Sequence, residues 1–177
     1  MNRLILVNGL PGSGKTTLAR ELAAALELPL FSKDAYKESL WSSARPPDAA
    51  ESSALGRRAL ELMWAGIAAP TGPAVVESFW FAPRDLEFLR ADLRNAGSTA
   101  AAEVWCVLDP ATARQRCRNR ERHPVHHAAH EDDAVWSRWV RQAGPLGLGP
   151  VLEINTEGPV DVAPLCRKLQ TLLVLGD

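Results

Sequence analysis

Eight residues near the N-terminus constrain this chain more than any others: Gly9-Leu10-Pro11-Gly12-Ser13-Gly14-Lys15-Thr16. They fit G-x-x-x-x-G-K-[ST] at every fixed position. A short apolar run over 4–8 leads into them. From Lys15 onward the spacing turns helical, with Leu18, Leu22, Ala25 and Leu26 on one face. A strand, a tight glycine turn and a helix are the parts needed to grip a polyphosphate. Glycines let backbone N–H groups turn inward with no Cβ in the way, forming an anion nest at a helix N-terminus. Lys15 is set to neutralise β- and γ-phosphates, and the Thr16 hydroxyl to hold Mg²⁺. Gly9, Pro11, Gly12, Ser13, Gly14, Lys15, Thr16 and Thr17 are therefore the candidate nucleotide-binding residues.

The remaining pattern alternates strands with helices. Further strands are predicted over 29–32, 74–77, 104–108 and 151–154. Helices are predicted over 15–28, 34–41 and 48–69, then from Pro83, from Pro110, over 131–142 and over 160–175. Such alternation implies an α/β fold with a parallel sheet of five strands covered on both faces. At 177 residues the chain suits one domain, 1–177, better than two.

Bulk properties exclude several classes. A formal net charge of -1 gives no broad positive field, so no nucleic-acid partner is expected. Cys106, Cys117 and Cys166 form no Cys-x-x-Cys pair and read as reduced, mostly buried thiols. The N-terminal apolar run is too short for a signal-peptide core, and no stretch reaches membrane-spanning length. A soluble cytoplasmic protein with no membrane partner is expected. No guanine-reading Asn/Thr-Lys-x-Asp occurs, which argues against a GTPase switch, and an ABC-type ATPase would need a longer chain. The small-kinase branch remains, with a nucleotide and a small-molecule acceptor as partners. A sequence of this kind leaves the oligomeric state open.

Several residues outside the glycine loop carry candidate chemistry. Asp34 follows the second strand, where a carboxylate lines the crevice of a parallel sheet and can accept a proton from an attacking hydroxyl; a helix cap is its bland alternative. Glu77 ends the third strand, where it can hold metal through water or grip the acceptor. Phe79 and Trp80 come directly after it and can wall an acceptor pocket. Arg114, Arg118 and Arg122 share one helical face, able to clamp phosphates and stabilise charge on the transferring group, while Arg116 and Arg120 point elsewhere. All four histidines, His123, His126, His127 and His130, fall within one short segment. They suit a mobile lid over about 118–133, with His123 as the acceptor contact, better than a zinc site.

With these parts in view, the chain resembles the small P-loop kinases, nearest the group containing chloramphenicol phosphotransferase, with gluconate, shikimate and polynucleotide kinases further off. The likeness spans nearly the whole chain, though only 9–17 is highly specific. It implies sheet order 2-3-1-4-5, ATP or GTP as donor with Mg²⁺, and a catalytic Asp matching Asp34. It also implies lid arginines matching Arg118 and Arg122, and base contacts near Arg114 and Asn155-Thr156-Glu157. Glu77 departs from the usual Asp. The resemblance, the aromatic segment after Glu77 and an Arg-over-Lys skew of 16 to 4, typical of a GC-rich genome, point to an antibiotic hydroxyl as acceptor, such as that of a nucleoside antibiotic of the capuramycin type. A sugar or metabolite kinase is the main rival. A P-loop toxin or nucleotide-binding module is the rival from another class.

Overall fold

The structure, a computed structural model, describes residues 2–42, 47–68, 72–121, 123–126 and 131–173. Arg122, His127 and His130 lie outside the described residues. In chain order the elements are β1 (Asn2–Gly9), α1 (Lys15–Ala25), β2 (Leu30–Ser32), α2 (Lys33–Ser39), α3 (Ala49–Ala68), β3 (Ala74–Glu77) and α4 (Ala82–Asn95). There follow β4 (Ser98–Val107), α5 (Pro110–Asn119), α6 (Asp133–Gln142), β5 (Val151–Asn155) and α7 (Val162–Leu173). The five strands are all parallel, in the order β2-β3-β1-β4-β5. That is the order the resemblance implies.

Strand β1 is central and buried on both faces, which explains its unbroken apolar run. Successive side chains of a strand point to opposite faces. Ile5 and Val7 accordingly pack with Leu18 and Leu22 of α1 and Leu165 and Leu169 of α7. Leu4 and Leu6 pack with Met63 and Ile67 of α3 and Leu89 of α4. Each such burial is worth about 1.5–3 kcal/mol, and the two layers clamp the sheet between them. The chain therefore leaves β1 toward one face and β3 toward the other. A crevice opens between the C-terminal ends of these neighbouring strands, where ligands of open α/β sheets bind.

Local caps set the helices that frame the crevice. Asp48 and Glu51 exchange bonds with each other's backbone N–H at 2.8 and 2.9 Å, a capping box starting α3. Asp109 accepts from the Thr112 N–H at 2.8 Å at the head of α5, next to Pro110. Strand β4 starts at Ser98, earlier than the predicted 104, with Ala101 and Ala102 paired to Leu4 and Ile5. No described helix is long and apolar enough to cross a membrane.

Candidate active site

The glycine loop joins β1 to α1 at the mouth of the crevice. Gly12 (φ 81°) and Gly14 (φ 86°) lie in the left-handed region that L side chains avoid. A Cβ on Gly12 would sit 2.1 Å from the Ala113 carbonyl oxygen of α5, so glycine is also required by that close approach. The buried Lys15 side chain donates to the Leu10 carbonyl across the loop at 2.9 Å. Ser13 Oγ is buried without a hydrogen-bond partner. Thr156 braces the loop from below: its hydroxyl reaches Ser13 O at 2.6 Å and Val107 O at 3.1 Å. A glycine nest with an inward lysine, a helix N-terminus and a spare hydroxyl fits a polyphosphate.

Facing the loop, Glu77 is 3% exposed at the end of β3. Its carboxylate accepts from Ser32 Oγ at 2.7 Å and from Thr16 Oγ1 at 3.5 Å. Burial pushes its carboxyl up from the ordinary value, against the opposing pull of the Lys15 charge and the Ser32 hydrogen bond. Two hydroxyls and a carboxylate grouped beside a phosphate nest are the hard oxygen donors that suit Mg²⁺. Asp34, in the first turn of α2, opens on the same cavity. Next to it, burial pushes the Lys33 ammonium down, while Asp34 opposes that shift.

These groups share one cleft of about 1500 Å³ running between the loop, α2, α3 and α4. Its walls include Pro11, Gly12, Gly14, Lys15, Thr16, Thr17, Asp34 and Glu77, together with Phe79 and Trp80. Gly9 and Ser13, also of the loop, are buried. The segment after β3 is held by Asn8, whose amide bonds both the N–H and the carbonyl of Trp80 and is tied in turn to Glu103 at 3.1 Å. Phe79 lies 5.8 Å from the Lys15 ammonium and meets Trp139 edge-on at 5.2 Å.

The arginines of α5 divide differently from the periodicity argument. Arg116 and Arg120 line the cleft, whereas Arg114 and Arg118 are absent from its walls. Arg114 pairs with Asp133 at 2.6 Å, bonds the Glu131 carbonyl and stacks over Trp136, so it fastens α5 to α6. Arg118 is exposed. Arg116 donates to Thr156 O and Glu157 O at 3.0 and 2.7 Å, binding α5 to the loop beyond β5. The helical period groups the arginines correctly but carries no sign of which stripe faces the cleft. Packing of Ala113 and Cys117 beside Gly12 decides that. Similarly His123 is exposed, while His126 enters the cleft wall. Trp64, Arg84, Asp85, Phe88 and Trp139 also line the cleft. Nothing in their local sequence separates them from ordinary helix residues.

A family model described as an AAA domain matches residues 4–146. The chain belongs to this AAA domain family. Among solved structures, this AAA-domain chain is similar to a protein of Chloroflexus aurantiacus described as a candidate kinase, at 30% identity and a TM-score of 0.82. That match covers 97% of this chain and 98% of the other. It also shares its fold with Chaetomium thermophilum Kti12 in complex with ADP-AlF3, at 22% identity, TM-score 0.64 and coverage of 96% and 98%. A shikimate kinase from Acinetobacter baumannii in complex with shikimate matches at 17% identity, TM-score 0.61 and coverage of 97% and 93%. No curated protein matches the sequence. The AAA-domain chain thus has a kinase-like P-loop fold, which implies nucleotide binding.

Proposed function

We propose that this chain is a small-molecule kinase that moves the terminal phosphate of ATP or GTP onto a hydroxyl. The observation that carries this reading is one cleft lined by Lys15, Thr16, Glu77 and Asp34 together. The acceptor oxygen attacks the γ-phosphorus, the bond to the β–γ bridging oxygen breaks, and the hydroxyl proton passes to Asp34. Lys15 stabilises charge on the β- and γ-phosphates, with Gly12 and Gly14 donating backbone N–H groups, while the Ser13 N–H closes the loop on the Leu10 carbonyl at 3.1 Å. Thr16, and Glu77 through water, would hold Mg²⁺, which neutralises the phosphate oxygens when bound. The role first assigned to Arg114 and Arg118 passes to Arg116 and Arg120, the pair on the cleft wall. Residues 1–177 act as one domain, with 118–133 as its lid.

The acceptor side supports a molecule with a ring or another flat apolar body. Trp64, Phe79, Trp80 and Phe88 line it, and Phe88 is 72% exposed, a large apolar surface left open within a binding cleft. An antibiotic hydroxyl, including that of a nucleoside antibiotic, fits such a wall. A second reading, a sugar or metabolite kinase acting on an acidic substrate, draws support from Lys33, Arg57 and Arg84 in the same cleft. It also draws on the fold shared with the shikimate kinase complex. A phosphate-transfer screen over antibiotics, sugars and sugar acids, with ATP and with GTP and read by mass gain, decides between them. Phosphorylation of ring-bearing uncharged acceptors is expected. Turnover of acidic acceptors alone selects the second reading, and nucleotide hydrolysis indifferent to every acceptor rejects both.

A further inference from the structure

His126 touches two carboxylates of one helix. Its Nε2 lies 2.8 Å from Glu38 Oε1, a hydrogen bond, and its Nδ1 lies 3.9 Å from Asp34 Oδ1. Asp34 and Glu38 are one helical turn apart on α2, so a single ring can face both. The imidazole is 6% exposed, against about 40% for each carboxylate. The backbone beside it is held as well. Ser52 Oγ of α3 donates to the Val125 carbonyl at 3.1 Å and accepts from Lys37 Nζ of α2 at 2.7 Å. Val125 itself is fully buried. The described part of the segment between α5 and α6 is thus fastened to α2 and α3, on the acceptor side of the cleft.

We infer that His126 is a positioning residue for Asp34, a latch through which the seating of this segment sets the orientation of the proposed base. The inference rests on the kinase reading for its kinetic consequence and on contacts alone for the latch. At 3.9 Å the ring makes no direct hydrogen bond to Asp34. It occupies one side of the carboxylate, restricts its rotation and keeps water from that side. The Glu38 bond fixes the ring, so Glu38 acts on Asp34 through His126. A misplaced base loses rate steeply, about 100-fold for a displacement near 1 Å.

The test compares the full-length wild type with His126→Ala, Glu38→Ala, the double variant and His126→Gln, whose amide still reaches toward Glu38. Two readouts are taken: hydrogen exchange of backbone amides over 118–126, and phosphate-transfer kinetics with circular dichroism as the folding control. Each single Ala variant is expected to speed exchange in the segment. Each should lower kcat about 10- to 100-fold, with the nucleotide KM held within about twofold. The double variant should be no worse than His126→Ala, because the two residues act as one unit, and His126→Gln should recover part of the loss. Unchanged exchange in His126→Ala overturns the latch. Multiplying losses in the double variant, or a loss confined to nucleotide KM, overturns the positioning role. A wild type that binds nucleotide yet transfers to no acceptor defeats the kinase reading instead, and the exchange comparison still decides the latch.

Discussion

Ser32 donates its hydroxyl to Glu77 Oε2 at 2.7 Å, tying the ends of β2 and β3 together directly opposite the glycine loop. Thr16 reaches the other oxygen of the same carboxylate at 3.5 Å. Through Glu77 the first residues of α1 and the last of two strands become one rigid corner. This corner is where a divalent cation and the terminal phosphates would meet.

Glu77 should make the nucleotide-free protein pH-dependent. Burial raises its carboxyl above the ordinary value of 4.5, so the folded state holds this proton more tightly than the unfolded chain. The stability it contributes is complete below the unfolded value and is lost as pH rises through the folded one. Glu77→Gln removes that loss. Its melting temperature should gain on the wild type between pH 4 and pH 8, at about 2–4 °C per kcal/mol, while magnesium-dependent nucleotide binding falls. A constant gap across this range refutes the assignment.

Gly12→Ala should weaken both fold and site. The substitution forces a side chain into the left-handed region and against the Ala113 carbonyl. We expect a cost of at least about 2 kcal/mol, read by urea unfolding, together with lost nucleotide affinity as α5 is pushed off the loop. Wild-type stability would show that α5 does not pack on the loop as described.

The two stripes of α5 separate in kinetics. Arg120→Ala, on the cleft wall, should lower kcat by about 100- to 1,000-fold, the scale of a lost charge-stabilising donor. Arg118→Ala, exposed and off that wall, should stay within about twofold. The reverse ranking in steady-state assays would return the catalytic role to Arg118.

Asp34→Asn should slow the chemical step by about 10² to 10⁴, the usual worth of a general base, and leave nucleotide affinity nearly intact. Rapid-quench measurement of the bound complex checks this. Collapsed binding with an unchanged rate per complex would make Asp34 a structural or metal-anchoring residue.

The strands and the loop were legible because both rest on local signals, whereas the strand order came from the resemblance to the small P-loop kinases. Short apolar runs mark β1, β3 and β5, and glycine is the residue that readily reaches φ values such as those at 12 and 14. Strand β4 was seen only in its second half, since Ala100–Ala102 carries neither the bulk nor the β-branching that marks a strand. Asp34 and Glu77 were found because position after a strand is enough to bring a residue to the crevice. Residues supplied by helix faces were not. Which arginine stripe of α5 turns inward, and that His126 enters the wall while His123 stays outside, depends on how elements far apart in sequence pack. Trp64 and Phe88 were hidden for the same reason: each is an apolar helix residue until α3 and α4 meet across the cleft.

Calorimetric titration of the folded chain with ATP and with GTP, each with magnesium, tests the polyphosphate grip itself. The account predicts one binding site for at least one of the two, with affinity reduced at least about 100-fold in Lys15→Ala. Absence of binding by the folded wild type, or equal affinity in the Lys15 variant, would contradict it.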